Sequence, residues 1–548
     1  MASKFLQRLT LAAVLVGGLG LLEAPPAAAT RPVRRTARPV AARGFNLFAG
    51  AVNVVMNVNR IQCNINNIGE TCVDPTNSSV VGGGFWPKGT PDQYIFNSGL
   101  QVAGMLGGTT ATFPWAGDTV GAFFMDPRGD QSMGQGLTNV YNALNTADLA
   151  EWPTAAYVND SSLFNAALLG RKTVSQQDTW VRYWDGNPAL APSARKHPMG
   201  LLVDQRGLMW NFPSGNQDIV YFLYRFINIT ARDPAKYANL ANAGFSAADI
   251  ADVVAIANNF QDLNESTFNV ALPDSGWTFN NVYAAFAQDP DVGASGQNYS
   301  TAILPFAMGI AYKSNFQETT WAYPADIFSA PFAAAPGFEG VKYLRSPTVP
   351  GSSPRREFGI TMFTNTTNGA PFPDRVGVSQ LWRLMSGNLA STDGTCSSDF
   401  RAPPTGQGMC YLASTPVDTR FVQASGPFTV KAGESAVIVV AYVHAAPVAA
   451  YIAPSSTFDL QPGVPGTIYG LVVPRPGRTT VDTIRTIERV AGIVAPAGGN
   501  VSARDVNGNL VIDQTELQTV PRSLVNKGLV AQAVFNARFL LPFSPESP

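Results

Sequence analysis

Short runs of β-branched and aromatic residues, broken every few positions by turn-forming clusters, dominate the chain from Phe45 to about Ile229. Examples are Tyr94-Ile95-Phe96, Val120-Gly121-Ala122-Phe123-Phe124, Thr179-Trp180-Val181-Arg182-Tyr183-Trp184 and Ile219-Val220-Tyr221-Phe222-Leu223-Tyr224-Arg225-Phe226. Asp126-Pro127-Arg128-Gly129-Asp130 and Asp185-Gly186-Asn187-Pro188 are two of the turn clusters between them. Residues of this kind suit a pleated surface, and strands this short need a second sheet or a helix over their apolar faces. The 50 glycines and 41 prolines in 548 residues favour turns over long helices in the same way. The chain reads as mainly β: a β-sandwich body with a helical insertion and a small helical C-terminal segment.

Composition narrows the function classes. At 45% apolar residues the chain can bury a large core, and only 14% are charged. Lys+Arg 37 against Asp+Glu 38 leaves a net charge of -1, which gives no global field toward nucleic acid. Two histidines leave little room for His-based catalysis or a His-rich metal site.

Residues 1–29 read as a secretory signal peptide. Lys4 and Arg8 precede the uncharged stretch Leu9 to Leu22, and Ala27-Ala28-Ala29 supplies small residues for cleavage after Ala29. That stretch is shorter than the roughly 20 residues of a membrane span. Residues 30–44, with five arginines, read as a basic flexible leader. The expected location is secreted, extracellular or cell-surface, where cysteines oxidise. Sequence proximity favours two local disulfides, Cys63–Cys72 and Cys396–Cys410, over a zinc site of four thiolates, because neither pair has zinc-knuckle spacing.

The β-sandwich body is expected over 45–445, as one or two sandwiches, with the helical insertion at 235–263. Ser246 is positioned to cap a helix with Asp249 in its first turn, and Ile250, Val253, Val254 and Ala257 fall on one face. Strand patterns resume at Phe279 to Phe286, Ala302 to Tyr312 and Phe358 to Thr364. Phe428-Thr429-Val430 and Ala436 to Val443, joined by Lys431-Ala432-Gly433-Glu434, read as a closing hairpin. The nearly charge-free stretch Ala436 to Ala453 reads as a buried strand followed by an irregular stretch rather than a membrane span, since Val437-Ile438-Val439-Val440 is β-branched and Pro447 interrupts it. A Pro/Gly-rich linker is expected over 446–480. A helical segment is expected over 481–548, from the spacing of Val481, Ile484, Ile487 and Ala491 and from Ser523 to Phe539.

The sharpest chemical motif is Asp505-Val506-Asn507-Gly508-Asn509-Leu510-Val511-Ile512-Asp513-Gln514-Thr515-Glu516. It resembles the calcium loop of EF-hand and dockerin-type modules, with Asp505, Asn507, Asn509, Asp513 and Glu516 at ligand positions and calcium as the implied ion. Leu510 stands where that motif has glycine. A plain Asn-Gly turn before a short helix is the competing reading. A second carboxylate cluster is offered by Asp289-Pro290-Asp291-Val292-Gly293 with Asp274 upstream: paired acids serve glycoside hydrolysis when held about 5 to 9 Å apart, and Asp-Pro-Asp is also an ordinary turn. His197 and His444 have no Gly-x-Ser-x-Gly companion, so a triad hydrolase is disfavoured. Trp180, Tyr183, Trp184, Trp210 and Phe212 could stack sugars, although filling the core is their commoner use.

Several strings taken together resemble a group of large, uncharacterised secreted bacterial proteins with β-rich bodies. They are Asp178 to Pro188, Met199 to Gly207 leading into Asp218 to Asn228, Asp289 to Gly293, and Ser425 to Glu434. Members of that group often continue into fibronectin type III or C-terminal sorting regions, and the group implies no catalytic residue. The expectation is a secreted or cell-surface structural or binding protein, partnered by a cell-surface glycan or an envelope protein, with neither nucleic acid nor a transmembrane span. A secreted carbohydrate-active enzyme using Asp291 and another acid, or a glycan-binding module, is the alternative.

Overall fold

A strand with apolar side chains on both faces must be covered on both sides, and several strands here meet that condition. Ile219–Asn228 and Ser435–Ala445 are almost entirely buried along their length and pair antiparallel with each other. The computed structural model describes residues 46–445, apart from 74–82, 91, 109–114, 126–131, 191–196, 294, 314–337, 368–376, 389–407 and 411–416, and farther along 472–474, 481–483, 503–504, 510–511 and 524–541. Within these residues two nine-stranded sheets form the body. The pairing is antiparallel except where Met362–Thr367 runs parallel to Gly408–Cys410.

The first sheet is centred on Asn97–Leu106, Phe279–Asp289 and Thr419–Val430, side by side in that order. The second has Phe338–Arg345, Ser435–Ala445, Ile219–Asn228, Leu201–Met209 and Gln177–Trp184 at its centre. The core between them holds side chains of both: the Phe286 ring lies 5.9 Å from Tyr224 and 5.5 Å from Tyr442. Tyrosine hydroxyls tie the layers together, with Tyr442 bonded to Thr71 at 2.8 Å and Tyr343 accepting from the Phe286 amide at 3.0 Å. Burying such hydroxyls without partners would cost several kcal/mol each.

Helices cover the outer faces. The C-terminal helix Leu524–Asn536 sets Leu529, Val530 and Val534 against Tyr221, Leu223, Val439 and Val443 of the second sheet. Val378–Ser386 covers the first sheet with Leu381, Leu384 and Met385. Ala247–Phe268 is the insertion, and Ser246 and Asp249 make a full capping box at its start. Its buried face is Val253, Ile256, Ala257 and Phe260, so the expected stripe is turned: Ile250 and Val254 lie at its margin. The mainly β sandwich with a helical insertion and a helical C-terminal segment is what the chain forms.

Three expectations require correction or placement. The hairpin does not form: Val430 pairs with Phe279 in the first sheet, while Ser435 pairs with Ile227 in the second. Lys431 to Glu434 is a corner between sheets, because each strand finds its covering partners in a different layer. Gly433 makes the corner possible, with φ +81° and a position where a Cβ would come 2.1 Å from the Lys236 carbonyl oxygen. Val481–Thr483, expected to begin a helix, is a strand paired with Val472–Pro474; its β-branched neighbours Thr479, Thr480 and Ile484 favour an extended backbone. Cys63 and Cys72 form the expected disulfide. Cys410 is also disulfide-bonded, and Cys396 lies outside the described residues. No helix among the described residues is long and apolar enough to cross a membrane.

The strings Asp178 to Pro188 and Met199 to Gly207 become adjacent strands. Arg182 forks onto Asp204, directly opposite, at 2.5 and 2.7 Å, and Arg206 reaches Asp178 at 2.9 Å. Asp185, just past the first strand, accepts the backbone N–H groups of Met199, Gly200 and Leu201. Burial pushes its carboxyl up to about 7 against the pull of those donors.

Candidate functional site

At one end of the first sheet, three aspartates from two segments come together. Asp289 is the last residue of Phe279–Asp289, where it pairs with Asn97 and its carbonyl accepts the Phe96 N–H at 2.9 Å. Pro290 then turns the chain, Val292 is buried, and the Gly293 N–H donates to the Gln93 carbonyl at 2.9 Å. These anchors fix Asp291 between them. Asp418 comes from the segment entering Thr419–Val430, held by the backbone bridge between Val417 and Asn298.

One carboxylate oxygen from each of Asp289, Asp291 and Asp418 lies within 4.8 Å of the others, so the three can hold a metal ion. Arg420 shares the site: its guanidinium reaches Asp289 Oδ2 at 3.1 Å and Asp418 Oδ1 at 3.2 Å. Asp291 has a buried Oδ1 that makes no hydrogen bond. Burial pushes its carboxyl up to about 7, Asp418 adds to the rise, and Arg420 opposes it. With all groups ionised, three carboxylates and one guanidinium carry a net charge of −2, which a divalent cation balances.

Asp274, the other acid considered with this cluster, is not part of it. It is exposed in the turn that receives the Arg232 and Asp233 N–H groups, before the start of Phe279–Asp289. That strand puts about 30 Å between it and Asp291. Asp418 and Arg420 were missed by sequence reading, since nothing local in Val417-Asp418-Thr419-Arg420 points to residues more than a hundred positions earlier. The loop ligands Asp505, Asn507, Asn509, Asp513 and Glu516 lie outside the described residues; of that loop, only Leu510–Val511 is described, as a strand paired with Ala503–Arg504.

Both histidines are in aromatic surroundings. His197 stacks on Trp115 at 4.2 Å between ring centroids. His444 is fully buried between Trp86 and Tyr94, with neither ring nitrogen hydrogen-bonded, and burial holds it down at about 3. The imidazole packs against these aromatic rings in its neutral form. Trp180, Tyr183, Trp184 and Trp210 are likewise buried and Phe212 is half-buried, so these aromatics fill the core instead of forming a platform for sugars.

No protein-family model matches the chain, and no curated protein matches it either.

Proposed function

We propose that this chain is an exported structural or binding protein of the cell surface or extracellular space, and that it takes calcium at Asp289, Asp291 and Asp418. The observation that carries the calcium reading is the charge balance of the cluster. Three hard-oxygen ligands converge on one point, one guanidinium neutralises only a third of their charge, and a buried Asp291 oxygen has no donor. Calcium suits several carboxylate oxygens gathered from a flexible set of loops. Its extracellular abundance fits the export read from residues 1–29 and the Cys63–Cys72 disulfide.

The alternative, a carbohydrate-active enzyme using Asp291 and another acid, fits the same residues less well. Glycoside hydrolysis needs two carboxyl groups about 5 to 9 Å apart with a sugar between them. Here three crowd closer than that and two are clamped by Arg420.

Thermal melting of the full chain in calcium and in EDTA tests the reading. Calcium is expected to raise the midpoint by several degrees, through its preferential binding to the folded state. Asp291→Asn should abolish that rise while Asp505→Asn, in the EF-hand-like loop, leaves it in place. An unchanged midpoint in the unsubstituted protein overturns the calcium assignment.

A further inference from the structure

Beside the corner where the chain passes between the two sheets, away from the aspartate cluster, lies a cleft of about 650 Å³. That volume is within the range of small-ligand sites, about 300 to 1,000 Å³. Five segments wall it: Asp160 and Ser162, Arg225 from the sheet, Asn239 to Ala243, the run from Arg345 to Arg355, and the corner with its flanks from Phe428 to Val437.

The charges on these walls do not cancel. Arg225, Arg345, Arg355 and Lys431 face the cleft, against Asp160 and Glu434, a surplus of two positive charges in a chain whose net charge is -1. Arg225 is neutralised by Asp160 and also donates to Ser435 at 3.1 Å. Arg345 is buried and donates to the Ser162 carbonyl at 3.1 Å, with its nearest carboxylate, Glu357, 3.8 Å away. Burial and the neighbouring Arg355 lower its affinity for its proton. Arg355 donates to the Thr348 hydroxyl at 2.9 Å, and among the described residues neither Arg355 nor Lys431 has an ion-pair partner. The rest of the lining mixes hydroxyl and amide groups, such as Ser346, Asn239 and Asn242, with apolar side chains such as Leu240, Phe428 and Val437.

We infer that this cleft binds an anionic saccharide, one carrying carboxylate or sulfate groups on its rings. Guanidinium forks take planar or tetrahedral oxyanions through paired hydrogen bonds, while side-chain amides and hydroxyls match ring hydroxyls. Arg225 and Arg355 both act on Arg345, while Lys431 stands on another segment, so the positive charge extends along the cleft, which suits charges repeated along a saccharide. The inference rests on the reading of the chain as a binding protein of the extracellular space and names the ligand class for it.

The test is calorimetric titration of the full chain, in EDTA, with oligogalacturonate, a heparin-derived oligosaccharide, a neutral cello-oligosaccharide and inorganic sulfate. At least one of the two anionic oligosaccharides is expected to bind. Arg355→Gln together with Lys431→Gln, both exposed, should weaken it about tenfold or more, the size expected for losing charge-assisted contacts. Arg345→Gln should weaken it further. Neutral oligosaccharide binding as tightly, sulfate binding as tightly as the oligosaccharides, no binding of either anionic oligosaccharide, or affinity indifferent to the double substitution would each overturn the proposal. Because EDTA removes calcium and the melting experiment reads the aspartate cluster separately, failure of one site is distinguishable from failure of the other.

Discussion

Lys527 Nζ donates to Asp218 Oδ2 at 2.6 Å, joining the C-terminal helix to the body across 309 positions of chain. Asp218 is fully buried and also accepts from Arg60 at 2.6 Å and from the Trp86 indole at 2.7 Å, while Lys527 reaches the His444 carbonyl at 2.9 Å. The helix is thus fastened by a charge as well as by its apolar face. Asp218→Ala leaves the lysine charge buried without compensation and should cost about 3 to 5 kcal/mol. Lys527→Met leaves Asp218 with two donors and should cost less, roughly 1 to 3 kcal/mol. Urea unfolding of the two variants gives the order directly.

His444 predicts a pH dependence. Its folded affinity for a proton is depressed to about 3 from an ordinary value near 6.5; burial is the main cause, Asp218 opposes it and Lys527 adds to it. Between those values the unfolded chain binds a proton that the folded chain refuses. The stability that His444 contributes is therefore complete above about pH 6.5 and is lost as pH drops toward 3, at up to about 1.4 kcal/mol per pH unit. His444→Phe, which can pack between Trp86 and Tyr94, should flatten that acid limb. The check is the difference between the two proteins' unfolding free energies from pH 7 to pH 4. Equal slopes would mean that the imidazole titrates as freely in the fold as outside it.

Gly433 predicts a backbone effect. Gly433→Ala places a methyl group against the Lys236 carbonyl in a left-handed conformation, and should destabilise by roughly 1 to 3 kcal/mol. Glycines in the open, such as Gly351 (φ +69°, where a Cβ would meet nothing within 4 Å), should show only the smaller conformational penalty. Chemical denaturation of both alanine variants separates the two contributions.

The Cys63–Cys72 bridge closes a nine-residue separation beside the strand Cys63–Asn66. Replacing both cysteines with serine should cost about 2 to 3 kcal/mol by restoring chain entropy to the unfolded state. Equilibrium unfolding of that variant against the oxidised parent measures it.

Local chemistry made much of this fold readable. The aromatic and β-branched runs from Thr179 and Ile219 are strands, and Ser246 caps its helix, because nearest-neighbour sterics and hydrogen bonding decide those outcomes. Lys431 to Glu434 misled because a tight turn and a corner between sheets ask for the same residues; only the layer covering each flanking strand distinguishes them. The candidate site was half legible. Asp289 and Asp291 share a turn, but Asp418 and Arg420 join them only through the pairing of Phe279–Asp289 with Thr419–Val430, a relationship that no short window of sequence contains.

Calorimetric titration of calcium into the full chain tests the central claim most directly. The account predicts a binding event that disappears in the Asp291→Asn, Asp418→Asn double variant and persists when Asp505 and Asp513 are both replaced by asparagine. Calcium uptake unchanged by the first pair of substitutions, or no uptake by the parent protein, would contradict it.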